Sequence, residues 1–588
     1  MVILKTNTTI KNMDAITKSF LKEFVESKNY SLLTLSDQFE MFANFCIINK
    51  EYDSVSFDEK EISTGKNTQG IDGIGIIVNN KLCNSIQEIE ELIELNRVLT
   101  VTFIIIQSKT SSKFDGNQID NMFRWTKTFF NEQSDLFVTN EMRNFIEMKE
   151  YIYANSKYMK DRNPICNLYF CSTGKWTEDL NLVQVVTGNT KELEDLNLFE
   201  NVTFYPCDSK QIQKLYRKTK EPVEATIKFE KKVTIPTMNE IKVAYSGMIP
   251  FSEFKKIIID ESGKMKSVFN DNIRDYLEQE NNPVNTDIAE TLKKGNLDSF
   301  CILNNGVTVV ADEISGPGDN ITITNYQIVN GCQTSNVLYE NRNVPDIDNM
   351  HIPLKIIVTD NSAIKSKITR ATNNQTAVDA VELEALTEFQ RNLEFYYQAI
   401  PKDNYKLYYE RRTNQFKSSE IPMNRIVNRE TQIKVFSSMF LDKPHLVAGY
   451  YGKLIKDMGD DIFNSEHDYL PYYTSALTYY ILENLYNIHK LDKSTRRFRY
   501  QIVLIFRFLV SPQTAPNPKD KKKTEIFCNK ILDTLKNEEN AISKFQESIN
   551  FLKSDFLNLD FKDRKTVERK GTTDIITNGL IEKYLKQV

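Results

Sequence analysis

The chain has 588 residues, 40% hydrophobic and 26% charged, with a formal net charge of −5 and a pI of about 5.8. That is the balance of a globular protein too long for one hydrophobic core, so about two to four domains are expected, and nucleic-acid binding cannot rest on overall charge but only on local basic surface. The eight cysteines form no Cys-x-x-Cys pair and the four histidines no His-x-x-x-His spacing, which argues against a zinc centre or a disulfide framework. The N-terminus shows no signal pattern and no apolar run approaches the ~18 residues a membrane span needs, so the expected setting is cytoplasmic with no membrane partner.

From the N-terminus, AITKSFLKEFVE has amphipathic spacing, and SDQFEMFANFCII follows with Ser36 as its expected N-cap. Two short apolar runs, Ile74 to Val78 and Val101 to Ile106, are bounded by turn or polar residues and read as buried strands, with SIQEIEELIEL between them as an inserted helix. Asp72 stands at the mouth of the first strand. Gln107 and Lys109 end the second and share a face, as strand residues two apart do. An acid on one strand and Gln-x-Lys ending its neighbour suit metal-assisted hydrolysis of a phosphodiester. Asp72 and the Gln107 amide are hard oxygen ligands for Mg²⁺ or Mn²⁺, and the Ser108 carbonyl can supply a third. Lys109 can orient the attacking water or offset developing charge; the alternative for it is an ordinary solvated residue at a strand end.

On the GIDGI turn, the buried strand leading into IIIQSK and the helix-like SSKFDGNQIDNMFRWTKTFF after it, this segment resembles the PD-(D/E)xK nuclease superfamily, in particular Mrr-like restriction endonucleases in which Gln replaces the second acid. The resemblance implies a restriction-endonuclease-like α/β domain and a glutamate on the preceding helix, for which Glu40 is the match. With one acid replaced by Gln, two-metal chemistry is disfavoured. ICNLYFCSTG, LVQVVTG and NVTFYPCDS then read as strands that complete the sheet near residue 215, giving a first domain over 1–220.

Past a change to alternating strands and prolines, the YQIVNGCQTSNVL stretch predicts a strand, a tight turn at Asn330-Gly331, and a helix opened by Gln333 and Thr334, an arrangement able to hold an anion. NIRDYL, VNTDIAETL, FCILNNGVTVVA, YQIVNGCQTSNVL, ITRATNNQTAV and YYERRTNQF occur in order from about residue 269 to 417. On these motifs the chain resembles the abortive infection phage resistance (AIPR) family, over roughly residues 30 to 455. The resemblance implies bacterial defence against phage with a nuclease as effector. The core, placed at 221–430 as an α+β domain, is also similar to ParB-like and DGQHR-type domains, which implies a polar pocket for a nucleotide or DNA lined by Asn304, Asn305, Asn330, Gly331, Gln333, Thr334, Asn373 and Gln375. Asn and Gln at strand ends equally serve turns and caps, and Asn304-Asn305-Gly306 is itself a hairpin-turn sequence. Arg274, Arg411 and Arg412, with tyrosines beside the last pair, are the candidate phosphate contacts, the alternative for each taken singly being a solvated surface arginine.

Residues 431–588 read as mainly helical, with a loop or linker at 511–523. The expectation is thus an α/β multi-domain protein that cleaves nucleic acid, DNA in preference to RNA, with Mg²⁺ or Mn²⁺, as a homodimer answering a nucleotide or phage-derived trigger. The competing readings are a non-catalytic nucleic-acid or nucleotide sensor on a degenerate nuclease domain, and an RNase.

Overall fold

The structure, a computed structural model, describes residues 13–584 except 53–56, 67, 69, 132–138, 161, 237, 262, 267, 270–291, 293–296, 362–363, 366, 369–370, 372–378, 412–413, 418, 449–450, 555–556 and 562. It is mixed α/β with a helical C-terminal region and divides into two compact units, one made of Met1–Thr219 with Phe389–Val588 and the other of Lys220–Glu388. The sequence suggests a second boundary after residue 430. In the structure that boundary falls after Glu388, and the C-terminal helices share a unit with the N-terminal residues.

In the first unit Asp14 accepts from the Ile16 and Thr17 amides, both at 3.0 Å, and so caps α1 (Ala15–Lys28). Thr34, not Ser36, opens α2 (Leu35–Tyr52): its Oγ1 accepts from the Asp37 amide at 3.2 Å, the reach a cap needs, while Ser36 lies inside the helix. β1 (Gly73–Val78) turns through Asn79 and Asn80, both left-handed, into β2 (Lys81–Cys83), the two-residue hairpin that asparagines favour. α3 (Ile86–Asn96) is the helix expected between the strands. β3 (Val101–Lys109) runs antiparallel to β1. α4 (Gly116–Phe130) and α5 (Asn140–Ala154) precede β4 (Ile165–Ser172), then α6 (Leu180–Glu194), β5 (Asn201–Cys207) and α7 (Ser209–Lys218) complete the order β2-β1-β3-β4-β5. LVQVVTG, expected as a strand, lies inside α6. Asp179 caps that helix through the Asn181 amide, and buried Asn189 and Leu193 fall four apart on one side, so local capping and helical spacing override the strand preference of valine.

The sheet has a core on each face. Ile74, Ile76, Phe103, Ile105 and Leu168 meet residues of α3 to α6 on one side, while Ile104, Ile106, Tyr169 and Cys171 meet α1, α2 and α7 on the other. α2 comes unusually near β1 because two glycines face it: a Cβ on Gly73 would stand 2.4 Å from Asn44 Oδ1, and one on Gly75 2.5 Å from Ile48 Cδ1. Gly75→Val is therefore expected to cost about 1–3 kcal/mol, the range for overpacking a filled core, read as a lower denaturation midpoint at unchanged slope. An unchanged midpoint would mean that the helix does not rest on this strand.

The second unit holds β6 (Glu224–Lys228), β7 (Lys231–Thr234), β8 (Val243–Pro250), α8 (Phe251–Ile258), α9 (Phe300–Leu303), β9 (Val307–Ala311), β10 (Glu313–Ser315), β11 (Asn320–Thr324), β12 (Gln327–Asn330), α10 (Cys332–Glu340) and β13 (His351–Val358). Its sheets run β12-β9-β13-β8-β7 and β10-β11-β6 around a core that includes Phe251, Phe254, Val309, Ile328 and Ile356.

Beyond α11 (Asp379–Ala399) the chain forms a small parallel pair, β14 (Tyr408–Glu410) with β15 (Ile426–Asn428). The helices α12 (Arg429–Phe440), α13 (Tyr451–Met458), α14 (Leu470–Asn487), α15 (Arg499–Val510), α16 (Lys521–Lys536), α17 (Glu538–Leu552) and α18 (Lys570–Tyr584) follow. The loop expected over 511–523 ends earlier, because Asp520 accepts from the Lys523 amide and starts α16 at Lys521.

His467 is buried in this helical region against Phe436, with its Nδ1 3.0 Å from the Tyr472 hydroxyl. Burial, aided by Lys519, pulls its pKa down to about 4, so the folded state binds a proton less readily than the unfolded chain. The neutral ring costs the fold nothing above the ordinary histidine value of about 6.5. As the pH falls from there towards 4 the unfolded chain gains a proton that the folded chain does not, a loss of stability of about 3 kcal/mol once both are protonated. His467→Phe is expected to flatten the fall in stability over that window, and an identical pH profile for both proteins would refute the assignment.

Candidate functional site

β3 runs on past the end of β1. The last β1 pair at this end is Gly73 with Ile106, whereas β3 continues alongside β4 as far as Lys109 and Ser172. Gln107, Ser108 and Lys109 therefore have no β1 partner on that edge, and Asp72 takes its place. Its backbone N–H donates to the Ile106 carbonyl at 2.8 Å, and its carboxylate Oδ2 accepts from the Ser108 N–H at 2.7 Å and from the Ser108 hydroxyl at 3.2 Å. A carboxylate thus substitutes for a missing ladder carbonyl. Since a strand residue turns its N–H and C=O to the same edge, the Ser108 carbonyl also opens towards Asp72.

Lys109 Nζ lies 3.6 Å from the same Asp72 oxygen. With the Gln107 amide in the orientation that satisfies both its ends, Gln107 Oε1 accepts from Lys109 Nζ at 3.1 Å and Nε2 donates to the Gln118 carbonyl on α4 at 3.2 Å. Gln107 and Lys109 continue the β3 face that carries Phe103 and Ile105, as strand alternation requires. The expected trio of Asp72, Gln107 and Lys109 is thus brought together.

Glu40 approaches from α2, on the other face of the sheet. The segment before β1 folds back beside it: Ser63 pairs with Gly73, the Thr64 amide donates to the Asp72 carbonyl at 3.2 Å, and Ser63 Oγ donates to Glu40 Oε1 at 2.7 Å. Burial and the nearby Asp72 carboxylate push the Glu40 pKa up to about 8, against the Ser63 hydrogen bond and the charge of Lys109. An acid whose proton affinity a neighbouring carboxylate raises, in a half-buried corner, is poised for a cation. Among the described residues no group of three or more His, Cys, Asp and Glu is placed to hold a metal. The donors here are two carboxylates, an amide oxygen and a backbone carbonyl, a hard-oxygen set suited to Mg²⁺ or Mn²⁺.

The residues that sequence reasoning missed are Ser63, which holds Glu40, and Asn44, one turn beyond Glu40 on α2 and wholly buried against Gly73. The available signal was the spacing Glu40, Asn44, Ile48 on a helix opposite Gly73 and Gly75 on a strand.

In the second unit, the two polar turns lie side by side. Gly331, left-handed at φ +91°, starts α10, and a Cβ there would be 2.9 Å from the Gly306 carbonyl. This brings Asn304, Asn305, Asn330, Gln333 and Thr334 to one end of the β12-β9 pair. Asn304-Asn305-Gly306 joins α9 to β9 and is not a hairpin, and Asn304 Nδ2 donates to the Phe300 carbonyl at 3.1 Å. Asn373, Gln375, Arg274 and Arg412 lie outside the described residues. Arg411, expected on phosphates, is instead buried with its Nε donating to Glu394 at 3.0 Å; a guanidinium held by a buried carboxylate is not offered to a ligand.

Residues 269–558 match the family model described as AIPR protein. The match therefore runs well past YYERRTNQF, through most of the C-terminal helices, and it begins after the Asp72 site. No curated protein and no solved structure matches the chain. Among the described residues no helix is long and apolar enough to cross a membrane.

Proposed function

We propose that the protein is an anti-phage defence factor of the abortive-infection kind, and that its N-terminal sheet carries a metal-dependent nuclease with a restriction-endonuclease-like, Mrr-type fold. The AIPR match supports the defence role. The observation that supports the nuclease is the convergence of Asp72, Gln107 and Lys109 at one sheet end, with Glu40 facing Asp72.

In this reading Asp72, the Gln107 amide oxygen and the Ser108 carbonyl would hold Mg²⁺ or Mn²⁺, with Glu40 completing the charge. When bound, the cation supplies Lewis acidity and a more acidic water. Lys109, released from Asp72, sets its ammonium towards the scissile phosphate and offsets the charge that develops there. Ser63 keeps Glu40 turned to the sheet. DNA is the proposed substrate, cut by a homodimer because two strands need two sites, and the AIPR core would sense a nucleotide or phage-derived trigger at the Asn330–Thr334 turn. Plasmid DNA and a long single-stranded RNA, incubated with the purified chain and Mg²⁺, Mn²⁺ or EDTA, test this directly. Metal-dependent cleavage of plasmid is the expected result; cleavage of RNA alone would reassign the substrate.

A further inference from the structure

Asn44 is fully buried, yet neither its Oδ1 nor its Nδ2 has a hydrogen-bond partner among the described residues. Its place makes this informative. It sits one turn after Glu40 on α2, and its amide presses on the backbone of Gly73, the residue next to Asp72, so closely that a Cβ there would come within 2.4 Å of Oδ1. A buried amide left without partners costs stability, and a leucine, with the same number and branching of side-chain heavy atoms, would remove that cost. Glu40, one turn before it on α2, and Asp72, next to Gly73 in the chain, are the acids of the candidate cation site.

We propose that Asn44 is a positioning residue of that site, which rests on the cation reading of Asp72 and Glu40: its amide is the polar lining that the hydration shell of a divalent cation meets on the α2 side. Both ends are suited to this, since the oxygen accepts and the NH₂ donates, whereas Glu40 and Asp72 when ionised only accept. Gly73 and Asn44 then form one device, the glycine giving the amide room beside Asp72.

The test uses the full chain, Mn²⁺ alone as probe, and two variants, Asn44→Leu and Asn44→Asp, followed by thermal unfolding without metal and by calorimetric titration with Mn²⁺. Asn44→Leu is expected to fold without metal and to bind Mn²⁺ at least tenfold more weakly. Asn44→Asp, which sets a third carboxylate beside Glu40 and Asp72, is expected to melt lower without metal and to gain more from Mn²⁺ than wild type does. Mn²⁺ affinity within twofold of wild type in Asn44→Leu, or an Asn44→Asp protein that Mn²⁺ stabilises no more than wild type, would make Asn44 a packing residue and leave the cation reading standing. A wild type that binds no Mn²⁺ overturns the cation reading and the role of Asn44 with it.

Discussion

Lys109→Ala is expected to lower metal-dependent cleavage by about 10²–10³-fold, the range for removing one preorganised charge-stabilising group from a reacting centre. The loss should not be one of folding. Lys109 is about a third exposed, and its pairing with Asp72 at 3.6 Å is of the half-solvated kind that contributes at most about 1 kcal/mol, so the melting temperature should scarcely move. Asp72→Asn gives the companion measurement. Its amide oxygen can still accept from the Ser108 N–H and keep the strand end in place, while the charge that would face the cation is gone. Weak Mn²⁺ binding with near-native stability is the expected pattern for Asp72→Asn, and retained Mn²⁺ binding with lost turnover for Lys109→Ala. Full cleavage by Lys109→Ala would move the chemistry elsewhere in the chain.

The strands that carry these residues were legible because each is a short apolar run closed by polar residues, and Asp72, Gln107 and Lys109 fall at ends where side chains have only one place to go. Glu40 came from resemblance, and the structure gives it a neighbour that raises its pKa. Asn44 was not legible. Within FEMFANFCII a single asparagine in an apolar run looks like a defect in the core pattern, and only the glycine opposite explains its place. The valines of α6 misled because strand preference is weak beside a good N-cap. The unit boundary failed for a different reason: part of what ties the C-terminal helices to the N-terminal residues is a set of charged side chains, and nothing in local sequence says which charges meet across more than four hundred positions.

Arg496→Leu is the prediction that tests that tie. Arg496 Nη2 lies 2.5 Å from Asp58 and 2.8 Å from Glu483, and Nη1 3.3 Å from Glu61, whose carboxylate is also 3.1 Å from Arg499. Lys60, between those acids in sequence, lies 3.6 Å from Glu483, and Glu59 is held by Lys28 at 2.8 Å. Burial works against the charge on Asp58, but Arg496 beside it holds its carboxyl well below the usual range. Removing the arginine takes one cationic partner from three partly buried carboxylates, of which Glu61 keeps Arg499 and Glu483 keeps Lys60, a loss of at most about 3–5 kcal/mol for breaking such a network from one side. The protein carries its own reporter, because both tryptophans, Trp125 and Trp176, lie in the N-terminal part, more than three hundred positions before Arg496. If the first unit unfolds as one body, Arg496→Leu shifts the tryptophan-detected midpoint as far as the midpoint seen by circular dichroism of the helices. A tryptophan transition left in place while the helical signal moves would show two independent folding bodies. The tie also bears on the site, since Asp58 to Glu61 lead within three residues to Ser63, which positions Glu40, and to Thr64, which holds the backbone of Asp72. An arginine inside the AIPR match thus braces the segment that shapes the proposed cation site, so a milder variant such as Arg496→Lys should weaken Mn²⁺ binding before it unfolds the chain.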